Sequence, residues 1–228
     1  MTSALGWGAL AASSLVVGAL LGLARAWPDR AVGIVLAFGA GALVSAVSFD
    51  LAEEGLQIGS GAAVGAGLAV GALTYFGLNR LVERRASGTG AGPALALGAF
   101  LDGIPEQMVL GIGLASGQGV SVSLLAAIFV SNLPEAIGSA SEMRAAGSRP
   151  ATIRRLWIAV AVVCTLASLA GYAIADTTSG DFKAGINGFA AGALLVMLID
   201  SMIPEAARKA GDVAGLITVL GFAVAIAL

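Results

Sequence analysis

The sequence predicts an all-α membrane protein of eight transmembrane helices, folded as a single polytopic domain over residues 1–228. Composition is the first ground: 58% of residues are hydrophobic, only 11% are charged, and the mean hydropathy is +0.95. Soluble domains carry about 25% charged residues. Second, the charges cluster between apolar runs, each near the ~20 residues that cross a bilayer. Third, the basic residues fall almost entirely in alternate connections, which is the signature of a chain threaded repeatedly through a membrane.

The runs cover roughly 3–24, 31–57, 60–79, 93–115, 120–143, 153–175, 182–206 and 210–228. The first lacks a basic leader and a small-residue cleavage site, so it reads as a retained span. The second is overlong and ends in Phe49-Asp50-Leu51-Ala52-Glu53-Glu54. The third carries Gly61/Gly65 and Gly67/Gly71, and the seventh Gly188/Gly192, small-residue spacings that let helices approach closely in lipid and permit a homodimer. The fourth contains DGIPEQ, the fifth SNLPEA and the seventh SMIPEA. The sixth holds the single cysteine, Cys164, and the eighth is short.

Arg25 and Arg30 lie between spans one and two, and Arg80, Arg84 and Arg85 between three and four. Arg144, Arg149, Arg154 and Arg155 flank the next such connection, and Arg208 and Lys209 the last, leaving only Lys183 opposite. The positive-inside rule puts those four connections in the cytoplasm, so a cell-membrane protein with both termini outside is expected. The acidic stretch at Phe49–Glu54 is echoed by Ile199-Asp200-Ser201-Met202-Ile203-Pro204-Glu205 in a span of opposite direction. That echo suggests an inverted repeat of spans 1–3 and 6–8 around central spans 4 and 5, a plan frequent in secondary transporters.

The absence of histidine removes Ser-His and Cys-His nucleophiles, HExxH metalloprotease sites and imidazole metal ligands. One cysteine gives no disulfide framework. No GxGD motif of membrane aspartyl proteases occurs. No enzymatic activity, no prosthetic group and no nucleic-acid partner are therefore expected.

The carboxylates carry the functional signal. Asp29, Glu83, Asp176, Asp181 and Asp212 fall in or beside loops, and Glu142 lies at a span end beside Arg144, where solvated charges are ordinary. Glu106 instead lies about 20 Å into a ~30 Å hydrocarbon layer, with Asp102 one turn nearer the cytoplasm. Asn132 and Glu135, entering from the opposite side, lie at about 18 and 22 Å. An ionised carboxylate at that depth costs at least ~2.5–3.5 kcal/mol. No lysine or arginine lies in the middle of any span, so protons or a bound cation must supply the missing charge.

Spacing supports a site. Asp102 and Glu106 are i, i+4 and Asn132 and Glu135 are i, i+3, so each pair shares one helical face. Pro105, Pro134 and Pro204 each remove a backbone N–H and free a carbonyl. Freed carbonyls at membrane depth are tolerated where they line a cavity.

Deep Pro-Glu pairs in spans four and five of an eight-span chain with both termini outside resemble the ZIP family of zinc and iron transporters. The resemblance is strongest over 98–143. It implies transport of Zn²⁺, Fe²⁺, Mn²⁺ or Cd²⁺ toward the cytoplasm, through a site often binuclear and built from spans four and five. Position by position it implies Asp102, Glu106, Ser131, Asn132 and Glu135 as metal ligands. Asp102 stands where the family usually has histidine, and Gly103 replaces a common second-metal ligand. Span six carries no acid, so a ligand sometimes found there is absent, as is the histidine-rich loop. An all-oxygen donor set suits Mn²⁺ or Mg²⁺ as readily as Zn²⁺; zinc is kept first on the resemblance.

Asp50, Glu53 and Glu54 approach the outer end of span two, and Asp200 and Glu205 the inner end of span seven, where they are expected to attract and release the cation. A proton-linked cation carrier or channel using the same carboxylates is the alternative.

Overall fold

The computed structural model describes residues 2–86, 91–115, 121–176 and 180–228, without the side chains of 2, 3, 82, 83, 85, 86, 91–99, 101, 102 and 176. Helices make up almost all of it, and no strand occurs among the described residues. In chain order they are α1 (Thr2–Ala24), α2 (Asp29–Ile58), α3 (Gly61–Ala86), α4 (Ala91–Ala115), α5 (Val122–Ala145) and α6 (Pro150–Asp176). They are followed by α7 (Gly180–Met197), α8 (Ile203–Ala210) and α9 (Ala214–Ile226).

Six stretches are long and apolar enough to cross a membrane among the described residues, with Gly180–Ile226 counting once at 47 residues. That stretch is not one straight rod. A π turn, Leu198–Met202, joins α7 to α8, and a 3-10 turn, Gly211–Val213, joins α8 to α9. The second junction needs Gly211, whose φ of 66° lies in the left-handed region that only glycine enters cheaply. A longer π segment, Val47–Glu53, interrupts α2. Each π segment contains an aspartate, Asp50 and Asp200, so the two acidic stretches that echo in sequence also share a backbone irregularity.

Helix ends are tied down by neighbours. Pro28 precedes α2 and Asp29 lies in its first turn, where a negative charge faces the positive end of the helix dipole. Ser121 caps α5 by accepting a hydrogen bond from Leu124 N at 3.1 Å. The last carbonyls of α1 are served by α5: Ser141 Oγ donates to Gly22 O at 3.2 Å, and the Arg144 guanidinium donates to Leu23 O.

Two apolar clusters form the core. One centres on fully buried Trp157 and joins α1, α5 and α6, with Phe100 of α4 at its edge. The larger cluster is built chiefly from α2 and α7, with contributions from α4, α5, α8 and α9. Several helix pairs among the described residues touch backbone to backbone at glycines. Cβ atoms at Gly71 and Gly192 would run into the carbonyls of Phe189 and Leu68 across the α3–α7 seam. Gly41 and Gly221 play the same part between α2 and α9, Gly111 and Gly171 between α4 and α6, and Gly18 and Gly22 between α1 and α5. Of the three small-residue pairs read from sequence, Gly67/Gly71 and Gly188/Gly192 serve this packing. Gly65, by contrast, faces open space.

Candidate functional site

Helices α4 and α5 pack against each other and bring the two Pro-Glu pairs together. Pro105 and Pro134 lie inside helices that stay α-helical throughout, so the freed carbonyls come without a change of helix type. Pro204 behaves differently, opening α8 directly after the π turn.

Glu106 is the centre of the arrangement. It is 1% exposed, and its carboxylate spans the α4–α5 seam. Ser131 Oγ donates to Oε1 at 3.2 Å and Asn132 Nδ2 donates to Oε2 at 3.0 Å. The Ser131 hydroxyl also lies 3.0 Å from Ile128 O, which holds it on its own helix. Hydrogen bonds to both oxygens offset part of the desolvation cost of a buried carboxyl group. The Asn132 amide is turned so that Nδ2 is used while Oδ1, also buried, has no hydrogen-bond partner among the described residues. Glu135 lies one turn further along α5 and is partly buried. Behind Ser131, Gly39 of α2 comes so close that a Cβ there would lie 3.0 Å from Ser131 Cα, so α2 backs the site.

Of the five ligand positions read from sequence, the structure thus brings Glu106, Ser131 and Asn132 into contact, with Glu135 a turn away. Asp102 lies in α4 one turn before Glu106, but its side chain falls outside the described residues. Among the described residues no three acidic or thiol side chains converge into a metal-binding group. Gly103 packs on α6: a Cβ there would meet Cys164 Sγ at 2.7 Å.

The outlying acids differ from one another. Asp50, half-buried in the π segment of α2, accepts hydrogen bonds from Ser121 Oγ at 3.1 Å and Ser123 Oγ at 3.4 Å, both at the start of α5. Glu53 is exposed and bonded to Gln57 at 3.5 Å, and Glu54 is half-buried. Asp200 is exposed. Glu205 forms an ion pair with Lys209 at 2.6 Å.

Sequence reasoning passed over several polar groups that the fold buries. Gln107 is fully buried, and neither atom of its amide has a partner among the described residues; Asn187 Oδ1 is in the same position. An amide among apolar residues at membrane depth was the available signal for both. Ser121 and Ser123 became partners of Asp50 only through the packing of α5 on α2, which no local pattern announces.

A helical bundle with six membrane-length apolar stretches around a buried, hydrogen-bonded carboxylate defines a multi-pass membrane protein. No family model matches the chain. A curated protein of Arabidopsis thaliana named "Putative zinc transporter" is 30% identical over 189 residues, covering 78% of this chain. The chain spans 30% of that protein's length.

Proposed function

We propose that the chain is a divalent metal cation transporter of the ZIP type, importing metal toward the cytoplasm through a site between α4 and α5. Zinc is the first candidate, with manganese, iron and cadmium within reach of an all-oxygen donor set. The name of the Arabidopsis relative supports a metal as the cargo. The single observation that carries the reading is Glu106, a buried carboxylate held between two proline-bearing helices beside the spare amide oxygen of Asn132.

The residues divide the work as follows. Ser131 and Asn132 hold the Glu106 carboxylate in place. An arriving cation takes oxygens from Glu106, Glu135 and Asn132 Oδ1, and the hydrogen bonds from Ser131 and Asn132 Nδ2 yield to it. Asp102, on the same face of α4 one turn earlier, is the further carboxylate of the proposed set. Asp50 stands at the outer approach, and Asp200 and Glu205 at the inner one, with Glu53 and Glu54 at the outer rim.

The architecture proposed with this function has eight crossings, the Gly180–Ile226 stretch making two of them about the turn at Gly211. Both termini then lie outside a cell membrane. The helix pairing supports an inverted repeat of spans 1–3 and 6–8: α3 on α7 is answered by α9 on α2, and α4 on α6 by α5 on α1. The matching π segments at Asp50 and Asp200 support it too. The open face of α3 at Gly65 offers a second copy a smooth surface for a homodimer.

Purified protein in liposomes tests the reading. Uptake of Zn²⁺, Mn²⁺, Fe²⁺ or Cd²⁺, abolished by Glu106→Gln, is the expected result. Flux that ignores all four metals and follows the proton gradient would replace it with a proton-linked carrier.

A further inference from the structure

Lys209, which the sequence places in a polar connection between spans, is the penultimate residue of α8, and its side chain is only 9% exposed. Two glycines make the slot that buries it. Gly33 of α2 lets α8 come into backbone contact: a Cβ at Gly33 would lie 2.6 Å from Lys209 Cβ. Gly138 of α5 leaves room for the ammonium, which lies 3.4 Å from the position a Gly138 Cβ would occupy. The lysine therefore reaches from α8 across to α5. Gly138 is three residues beyond Glu135, about 4.5 Å along the helix axis, on a neighbouring position of the same face.

The ammonium thus has one carboxylate partner on α8 and lies beside a stretch of α5 that carries two further acids. Its present partner is Glu205, 2.6 Å away on α8. Glu135 lies one turn toward the α5 N-terminus, and Glu142 one turn the other way, where it is exposed. An ordinary i, i+4 ion pair on a helix surface contributes little and needs no such slot. The four-carbon stem is flexible, so the ammonium can leave Glu205 for an acid of α5.

We propose that Lys209 is a tethered counter-cation of the transport site, exchanging between Glu205 and Glu135. This rests on the transport reading above and adds a residue to it. Once a cation has left toward the cytoplasm, the carboxylates of α4 and α5 need positive charge to stay within the membrane. Lys209 supplies it from the cytoplasmic side, competes with the returning cation and lets the site turn outward without a second ion. Glu205 is its resting place and sets how readily it moves.

The test uses full-length protein and Zn²⁺ alone, measuring equilibrium binding in detergent and both net uptake and Zn²⁺/Zn²⁺ exchange in liposomes. Lys209→Met removes the competitor. Zn²⁺ binding is expected to tighten about fivefold, on the scale of an ion pair, while net uptake falls severalfold and exchange persists. Glu205→Gln frees the lysine for Glu135 and is expected to weaken Zn²⁺ binding. A merely structural ion pair would move both variants the same way, and that result overturns the proposal. So does an unchanged affinity in Glu205→Gln, which decides the matter even where Lys209→Met fails to fold. Wild-type protein that neither binds nor carries Zn²⁺ would remove the transport reading itself, an outcome distinct from any result read on the variants against an active wild type.

Discussion

Asn132 of α5 donates its side-chain N–H to Glu106 Oε2 of α4 at 3.0 Å, so the two proline-bearing helices are joined at the carboxylate itself. The bond fixes where the negative charge sits and leaves the amide oxygen of the same residue over. Glu106→Gln keeps the volume but removes the charge, and is expected to abolish metal uptake while the protein still inserts. Asn132→Ala is expected to lower uptake about 10- to 100-fold, the scale for losing a group that orients a metal ligand. Uptake by proteoliposomes, normalised to inserted protein, decides both.

Ser121 serves two masters, capping α5 through Leu124 N and bonding Asp50 of α2. Ser121→Ala is expected to cost ~1 kcal/mol as a lost helix cap, read as a lower thermal midpoint in detergent. Asp50→Asn leaves the cap intact, so its midpoint is expected to stay near wild type while its uptake slows. Equal thermal losses in the two variants would show that Asp50 acts only as a brace for α5.

The α3–α7 seam has no room for side chains. Gly71→Leu drives atoms into the Phe189 carbonyl, and is expected to cost ~1–3 kcal/mol or more by overpacking. Gly65→Leu on the same helix meets nothing within 4 Å, and is expected to change stability by less than about 0.5 kcal/mol. Thermal unfolding of the purified monomer separates the two.

Gly103, where the resemblance leads one to expect a second-metal ligand, has no room for a side chain. Its Cβ direction is occupied by Cys164 Sγ at 2.7 Å. Gly103→Asn alone is expected to destabilise the protein, and Cys164→Ala in the same chain to relieve it. Thermal midpoints of the single and double variants give the coupling between the two positions.

Much of this was legible in the sequence because in a bilayer length and apolarity nearly dictate helices. The six membrane-length stretches overlap the predicted runs, but residues 180–226 form one stretch where two runs were expected, and α3 continues to Ala86 where its run was expected to end at 79. Depth and shared faces placed Glu106 and Asn132 at one level, whereas Ser131 entered only through the resemblance; the structure joins both to Glu106. Lys209 did not, because its burial depends on two glycines, Gly33 and Gly138, on helices far away in sequence. The π segments at Asp50 and Asp200 were invisible as backbone, although the acidic echo marked their positions. Residue spacing assumes a constant helical pitch, and these are the places where the pitch changes. Gly61/Gly65 looked like packing motifs, yet spacing alone does not say which neighbour a glycine faces.

The end of α1 has a consequence for biogenesis. Its final carbonyls receive their hydrogens from Ser141 and Arg144, residues 119 and 121 positions later in the chain. As the polypeptide emerges, the first helix therefore waits with an unfinished tip until the fifth arrives. Chains cut before residue 141 would lack that closure, and the tip of α1 would have to take its hydrogens from water instead.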